Sequence, residues 1–305
     1  TVTCQGFLTG FAEVTFASWG TPLLLLWSIF LLDLWLGDPV YRFHPIRLIG
    51  SLLIYLERWL FARGWNGYTG GILLGLLLLG IVLGCYFLLQ KLFGSLHPVL
   101  GWSLDLFLGY SLLALRDLEI HGLRVWRATA DGNLMKAREE ISQLVGRDVE
   151  RLDLAGCNRA TLESLSENLS DGVVSPLIWL TLVGIPGMLA FKVISTMDSM
   201  VGYRNSRYLR FGWFGARADD LMNWVPARLT WVLLSISAWV LPDYDGRMAW
   251  SIGLSQHQYM SGPNAGWGQA ASAGALRVQL VGEKWKNGRL QHNAWLGHPD
   301  DLAQI

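Results

Sequence analysis

Between Gly70 and Leu89 the chain reads GGILLGLLLLGIVLGCYFLL, twenty residues without a charge. At about 1.5 Å per residue such a helix covers the roughly 30 Å hydrocarbon core of a bilayer. A helix of a soluble protein keeps a polar stripe on its outer side, and this segment has none. The rest of the chain agrees with a membrane setting. Only 16% of residues are charged and 52% are hydrophobic, where a soluble domain carries about a quarter charged residues. The 24 basic and 24 acidic side chains cancel, so no global field draws a nucleic acid or another polyanion. Of the sixteen Trp, Trp19, Trp35, Trp59, Trp65 and Trp102 flank apolar runs, as interfacial anchors do.

Further apolar segments lie at about 22–36, 98–115, 173–195 and 229–241. The expected fold is therefore all-α, a polytopic integral membrane protein with about three to five membrane-embedded helical segments and long helical loops. Asp33 and Asp105 fall inside apolar segments and must face protein or water, because an acid there costs roughly 2.5–3.5 kcal/mol on insertion scales. The 173–195 segment carries Pro176, the break Gly184-Ile185-Pro186-Gly187 and Lys192. Each arm is too short to cross, so a broken or re-entrant hairpin is expected, shielded from lipid by protein. The first Lys or Arg is Arg42, so a cleavable secretory signal is not expected. Cys4, Cys85 and Cys157 show neither CxxC nor Cys/His metal spacing, which argues against a disulfide framework or a zinc site.

The polar blocks are 37–69, 116–172, 197–228 and 242–305. Arg116–Asp171 holds eight Lys/Arg and Met197–Arg228 holds five Arg. The positive-inside rule assigns such blocks to the cytoplasm, so all of them are expected on one face of a cell (inner) membrane. The tail from Pro242 reads as irregular loop with short helix.

Several charged clusters could carry chemistry. Asp33, Gly37-Asp38-Pro39 and His44-Pro45 follow one another at the end of an apolar segment, where Gly and Pro also serve as plain helix punctuation. Glu163, Glu167 and Asp171 recur at i, i+4 and i+8 and form one acidic helix stripe, which calls for a cation or a solvated face. Asp198, Asp219, Asp220 and Asn223 lie among Arg204, Arg207, Arg210, Arg217 and Arg228. Oxygen ligands on one helical turn suit Mg²⁺, and guanidinium groups suit phosphate, although surface ion pairs have the same composition. Ser261-Gly262-Pro263-Asn264 is a polar turn able to offer backbone N–H groups to an anion. No P-loop, GxGxxG after a strand, HExxH or Gly-x-Ser-x-Gly occurs.

Taken in order, these clusters resemble the adenosylcobinamide-phosphate synthase (cobinamide synthase, CobD/CbiB) family of cobalamin biosynthesis. The resemblance starts at Asp33, Gly37-Asp38-Pro39, His44-Pro45 and Gly50. It continues through Gly146-Arg147-Asp148, then E-S-x-x-E-N-x-x-D-G-x-x-x-P from Glu163 to Pro176. T-x-D-S-M-x-G-Y follows from Thr196 to Tyr203, then F-G…A-R-x-D-D-x-x-N-x-x-P-A-R from Phe211 to Arg228, and S-x-P-N-A-G…A-G-A-L from Ser261 to Leu276. Two places depart from the family pattern. Ser195 replaces an Asn, and Val281-Gly-Glu-Lys-Trp-Lys-Asn-Gly stands where Gly-Gly-x-x-Tyr-x-Gly is usual.

The resemblance implies an ATP-dependent amide ligase joining adenosylcobyric acid to (R)-1-aminopropan-2-yl phosphate. ATP is then a co-substrate, Mg²⁺ is expected, and the corrinoid is substrate rather than cofactor. Under that reading Asp38, His44, Glu163, Glu167 and Asn168 are candidate catalytic residues. Arg147, Arg204, Arg217, Arg228, Ser261 and Asn264 are candidates for substrate and phosphate binding. Asp171, Asp198, Asp219, Asp220 and Asn223 are candidates for the metal, with Glu167 also within that acidic set. The expected partners are the two substrates and the lipid bilayer, with no nucleic acid, and a homo-oligomer is compatible. Two readings from other classes stay open: a membrane sensor like the AmpE proteins of β-lactamase induction, and a transporter with ionisable residues on broken helices.

Overall fold

The computed structural model describes residues 20–37, 41–286 and 288–301. Thirteen α-helices carry the described residues: α1 (Gly20–Leu36), α2 (Pro45–Ala62), α3 (Tyr68–Leu96), α4 (Pro98–Ser111), α5 (Leu115–Ala130), α6 (Leu134–Ser142), α7 (Leu154–Leu169), α8 (Ser175–Val183), α9 (Ile185–Val201), α10 (Trp213–Met222), α11 (Trp224–Val240), α12 (Gly246–Gln256) and α13 (Ala265–Leu276). A π-helical turn at Ser170–Val174 joins α7 to α8. The fold is all-α.

Two helical stretches, Tyr68–Leu96 and Pro98–Ala130, are long and apolar enough to cross a membrane. The second comprises α4 and α5, which meet at Leu112–Ala114. α3 turns into α4 at His97, whose Nδ1 accepts the Val99 N–H (3.2 Å) and caps α4. Along this hairpin Asp105 is held by protein: its two carboxylate oxygens accept from Tyr86 Oη (3.0 Å) and Gln90 Nε2 (2.9 Å). α3 also presents Leu76, Phe87, Leu88 and Leu92 outward with no protein over them.

Inside, α2, α3 and α9 share a core of Leu53, Leu60, Leu74, Leu78, Val193 and Met197, closed by Phe211 ahead of α10. The approach of α3 to that segment depends on Gly71, where a Cβ would fall 1.8 Å from the Phe211 carbonyl oxygen. A second core joins α1, α8 and α9 through Ile29, Leu180, Ile185 and Met188, with Leu106 and Leu108 of α4 packed against it. α8 and α9 are parted at Gly184, whose φ of +74° and ψ of −162° suit glycine alone. Pro186 then stands in the first turn of α9, where a missing N–H costs nothing. A third core ties α5, α6 and α7 through Val125, Ala137, Ile141, Cys157 and Ala160.

The tail is more ordered than expected. α12 and α13 pack closely because α13 (AGWGQAASAGAL) is lined with small residues. At Gly268 a Cβ would fall 2.7 Å from the Ser166 carbonyl oxygen, so α13 lies directly against α7. Beyond it, β1 (Leu280–Val281) pairs with β4 (Trp295–Leu296), and β2 (Lys284–Lys286) pairs with β3 (Arg289–Gln291), both antiparallel. Alternation in Lys284-Trp285-Lys286 was the available period-2 signal.

Candidate active site

α7, α9, α10, the 260–264 turn, the start of α13 and the β1–β2 tail converge on one cavity of about 680 Å³. Residues of three polar blocks, 116–172, 197–228 and 242–305, thus meet in a single space.

One side of the cavity is acidic. Glu167, Asp171, Asp198, Asp219 and Asp220 all line it. Glu167 and Asp171 extend the face of α7 across the π turn, Asp198 comes from the last turn of α9, and Asp219-Asp220 from α10. Burial in the concave wall raises the proton affinity of every one of them. Asp219 is pushed up to about 7, by burial first and then by the charge of Asp198. Asp171 is driven well above the ordinary carboxylate range by burial and by Asp219 and Glu167. Glu167 is open to the cavity space yet walled by protein, and burial raises it while Lys284 draws it back. Asp198 rises through burial and the Asp220 charge. Asp220 is raised by burial, with Arg217 and Arg204 drawing it partly back.

Basic groups border the cavity as well, close enough to Glu167 to act on its charge. Arg147, Lys284 and Lys286 line it, beside Val281 and the 144–146 backbone. Arg147 is committed to Glu163 through an ion pair. The other Glu163 oxygen accepts the Val281 N–H (2.9 Å), so both oxygens of this buried carboxylate are occupied within the protein. Glu163 ties α7 to the tail.

Around these walls, polar contacts fix the floor. The Asn223 amide donates to Asp219 (3.0 Å), while its oxygen accepts the Ser175 hydroxyl (2.5 Å). Asn168 donates to the Ser164 carbonyl (2.8 Å), and Asn264 donates to the Asp220 carbonyl (2.8 Å). Gln269, on α13, donates to Glu167 (3.3 Å). Lys192 Nζ donates to the Asp171 carbonyl (3.3 Å). Asp219 Oδ1 is buried with no hydrogen-bond partner.

Of the residues singled out in the sequence, Arg147, Glu163, Glu167, Asn168, Asp171, Asp198, Asp219, Asp220, Asn223, Ser261 and Asn264 all line the cavity. Four others do not. His44 is buried at the N-cap of α2, where its Nδ1 accepts the Ile46 N–H (3.3 Å) and its ring meets Tyr41. Arg228 lies over the rings of Trp224 (4.0 Å) and Trp267 (4.9 Å), a cation–π seat. Arg217 is largely exposed, 3.5 Å from Asp220, and Arg204 is exposed on the following surface. Asp38 lies outside the described residues. Asn223 turns its oxygen to Ser175 and serves to orient Asp219 instead of adding a ligand. Lys284, Lys286 and Gln269 are cavity residues that the motifs did not flag.

The CobD/Cbib protein family model matches residues 26–305. The chain belongs to this family. It is 41% identical over 278 residues to the cobalamin biosynthesis protein CobD of Yersinia enterocolitica, covering 90% of this chain and 87% of that protein. It is 42% identical over 269 residues to CobD of Geobacter metallireducens, covering 88% and 84%. The cobalamin biosynthesis protein CbiB of Salmonella choleraesuis is 36% identical over 280 residues, covering 90% and 87%. No solved structure matches. Membership of the CobD/CbiB family places the chain among proteins of cobalamin biosynthesis, and the ordered motifs that mark it, except the first, now fall around one cavity.

Among the described residues, no group of three or more His, Cys, Asp or Glu side chains is disposed to hold a metal ion by itself. The acidic wall nevertheless fits a divalent cation in the manner of Mg²⁺, which binds through one or two carboxylates and completes its shell with water and substrate phosphate. The unpartnered Asp219 Oδ1 and the crowding of Asp198, Asp219 and Asp220 are the features that suit it.

Proposed function

We propose that the chain is the ATP-dependent amide ligase of its pathway, joining the carboxylate of adenosylcobyric acid to an aminoalkyl phosphate, with (R)-1-aminopropan-2-yl phosphate as the amine. Family membership supports the pathway. The observation that carries the reaction type is one cavity that brings Glu167, Asp171, Asp198, Asp219 and Asp220 together with Arg147, Lys284 and Lys286.

A carboxylate is a poor acceptor for an amine and needs activation. In the proposed sequence its oxygen attacks the γ-phosphorus of ATP, the bond to the bridging oxygen breaks, and ADP leaves. The amine nitrogen then attacks the acyl phosphate carbon, the carbon–oxygen bond to phosphate breaks, and the nitrogen gives up a proton. Every reactant is anionic, so charge must be met on both sides. Asp219, with Asp198 or Asp220, would hold Mg²⁺, which supplies charge neutralisation to a transferring phosphoryl group. Asn223 holds the Asp219 carboxylate in place from behind. Glu167, open to the cavity with a raised proton affinity, is the group assigned to take the proton from the nitrogen. Glu163, with both oxygens engaged, positions the tail and Arg147.

The cavity volume suits a ligand of ordinary small-molecule size. The corrin ring would therefore rest outside, against the exposed Tyr203 at the rim, and only its carboxylate arm would enter. Active loops on the cytoplasmic side of a cell membrane belong to the same proposal.

The test is rescue. A host lacking this ligation should regain cobalamin synthesis from cobyric acid when supplied with this gene. Cobinamide should bypass the need, since it already carries the amide. A well-expressed wild type that neither rescues nor forms ADP with these substrates would overturn the reading.

A further inference from the structure

Lys284 and Lys286 occupy alternate positions of β2 and both line the cavity. In a strand, alternate side chains share a face, and here that face borders the cavity. Among the described residues neither ammonium takes part in an ion pair, whereas the neighbouring Arg147 is taken by Glu163. Lys284 feels the charges of Glu167 and Glu163 without a direct ion-pair contact, and two half-buried ammonium groups beside the Arg147 guanidinium leave room for a further anion.

The protein holds this strand in place from three directions. The Asp148 N–H donates to the Trp285 carbonyl (3.1 Å), and the Asp148 carboxylate accepts the Gly288 N–H (2.7 Å). The Arg151 guanidinium lies 3.7 Å over the Trp285 ring, on the strand's other face. Just upstream, Val281 sits at φ +71°, a conformation a β-branched residue rarely adopts, and Glu163 fastens its N–H. Strain retained at such a turn has to be imposed by its surroundings. Here its effect is to bring the chain back over the cavity at Lys284.

We propose that Lys284 and Lys286 form a phosphoryl-binding subsite of the cavity, a specificity device that this chain carries in its tail. The dianionic phosphoryl group could belong to the nucleotide or to the aminoalkyl phosphate, and the two sources share the chemistry. Only the choice between them rests on the ligase reading.

The experiment compares wild type with Lys284→Gln, Lys286→Gln and Lys284→Arg, all as full-length protein in detergent. Binding of ATP and of inorganic pyrophosphate is measured directly, without turnover, and KM is measured for all three substrates. At least one phosphate-bearing ligand should bind about tenfold or more weakly in the Gln variants, and Lys284→Arg should recover most of the loss. A rise confined to the KM for ATP, with weaker ATP and pyrophosphate binding, assigns the nucleotide. A rise confined to the aminoalkyl phosphate, with lost preference over the unphosphorylated amino alcohol, assigns the amine. Unchanged binding and unchanged KM values, or a rise confined to the corrinoid acid, would overturn the subsite. If wild type binds pyrophosphate through these lysines yet catalyses no ligation, the subsite stands and the ligase reading falls.

Discussion

The Asp33 carboxylate caps a helix that begins far along the chain: its Oδ2 accepts the backbone N–H groups of Leu115 (3.0 Å) and Arg116 (3.1 Å) at the start of α5. The first residues of a helix have no intrahelical acceptor for their N–H groups. Asp33 supplies one from α1, fully buried, and so couples the first apolar helix to the 116–172 polar block. Asp33→Ala should therefore act on stability, at a cost of about 2 kcal/mol. Thermal unfolding in detergent should show a lowered midpoint, with the KM for ATP within about twofold of wild type in the protein that remains folded.

Asp219 stands in the opposite situation, with one oxygen oriented by Asn223 and the other without a partner. Asp219→Asn should leave the fold intact and reduce Mg²⁺-dependent turnover by about 10²–10³, the usual loss when one phosphate-stabilising group is removed. Initial rates over a Mg²⁺ series, alongside the yield of folded protein, distinguish this from a structural effect. Wild-type rates would remove Asp219 from the metal assignment.

Val281 holds a φ of +71°, a backbone conformation that suits glycine better than a β-branched residue. A left-handed L-residue costs about 1–2 kcal/mol, and the extra freedom of an unfolded glycine offsets about half of it. Val281 is buried in the core of the tail, and losing a buried Val side chain costs about 1.5–3 kcal/mol. Val281→Gly should therefore relieve the strain and still lower stability by about 1–2 kcal/mol. A raised unfolding midpoint would show that its backbone strain outweighs its packing.

Three polar blocks reach the same cavity, so they cannot lie on opposite sides of a membrane. Ser142 and Ser206 are both exposed, and Ser142→Cys and Ser206→Cys, in a background lacking the exposed Cys85, should label from the cytoplasmic side only. Labelling of either from outside intact cells would sink the cytoplasmic assignment.

Much of this architecture could be read in advance where the signal was local. The charge-free run became α3, and the glycine break became the joint between α8 and α9. Of the i, i+4, i+8 acids, Glu167 and Asp171 stand among the other cavity carboxylates while Glu163 turns to Arg147 and Val281. What could not be read depends on distant partners. Glu163 looked catalytic because nothing nearby shows that its oxygens belong to Arg147 and to Val281, 118 residues away. Arg228 looked like a phosphate ligand, although Trp224 one turn earlier offered it a ring. His44 before Pro45 is a helix-start signature, and the structure uses it as one. Lys284 and Lys286 fall in a tail that reads as irregular loop, and only its long return places them on a strand beside the cavity.

The π turn at Ser170–Val174 sets the angular phase of the chain. Its wide loop, closed by the Ser175 N–H on the Ser170 carbonyl, inserts one residue beyond the α-helical count. Deleting one residue between 170 and 174 would restore a regular helix and at the same time turn everything beyond it by about 100° relative to α7. Ser175 would swing off Asn223, and the acids of α7 would lose their alignment with those of α9 and α10. A one-codon deletion at this joint is thus a rotation, and it would disable the cavity while leaving the helices on either side intact.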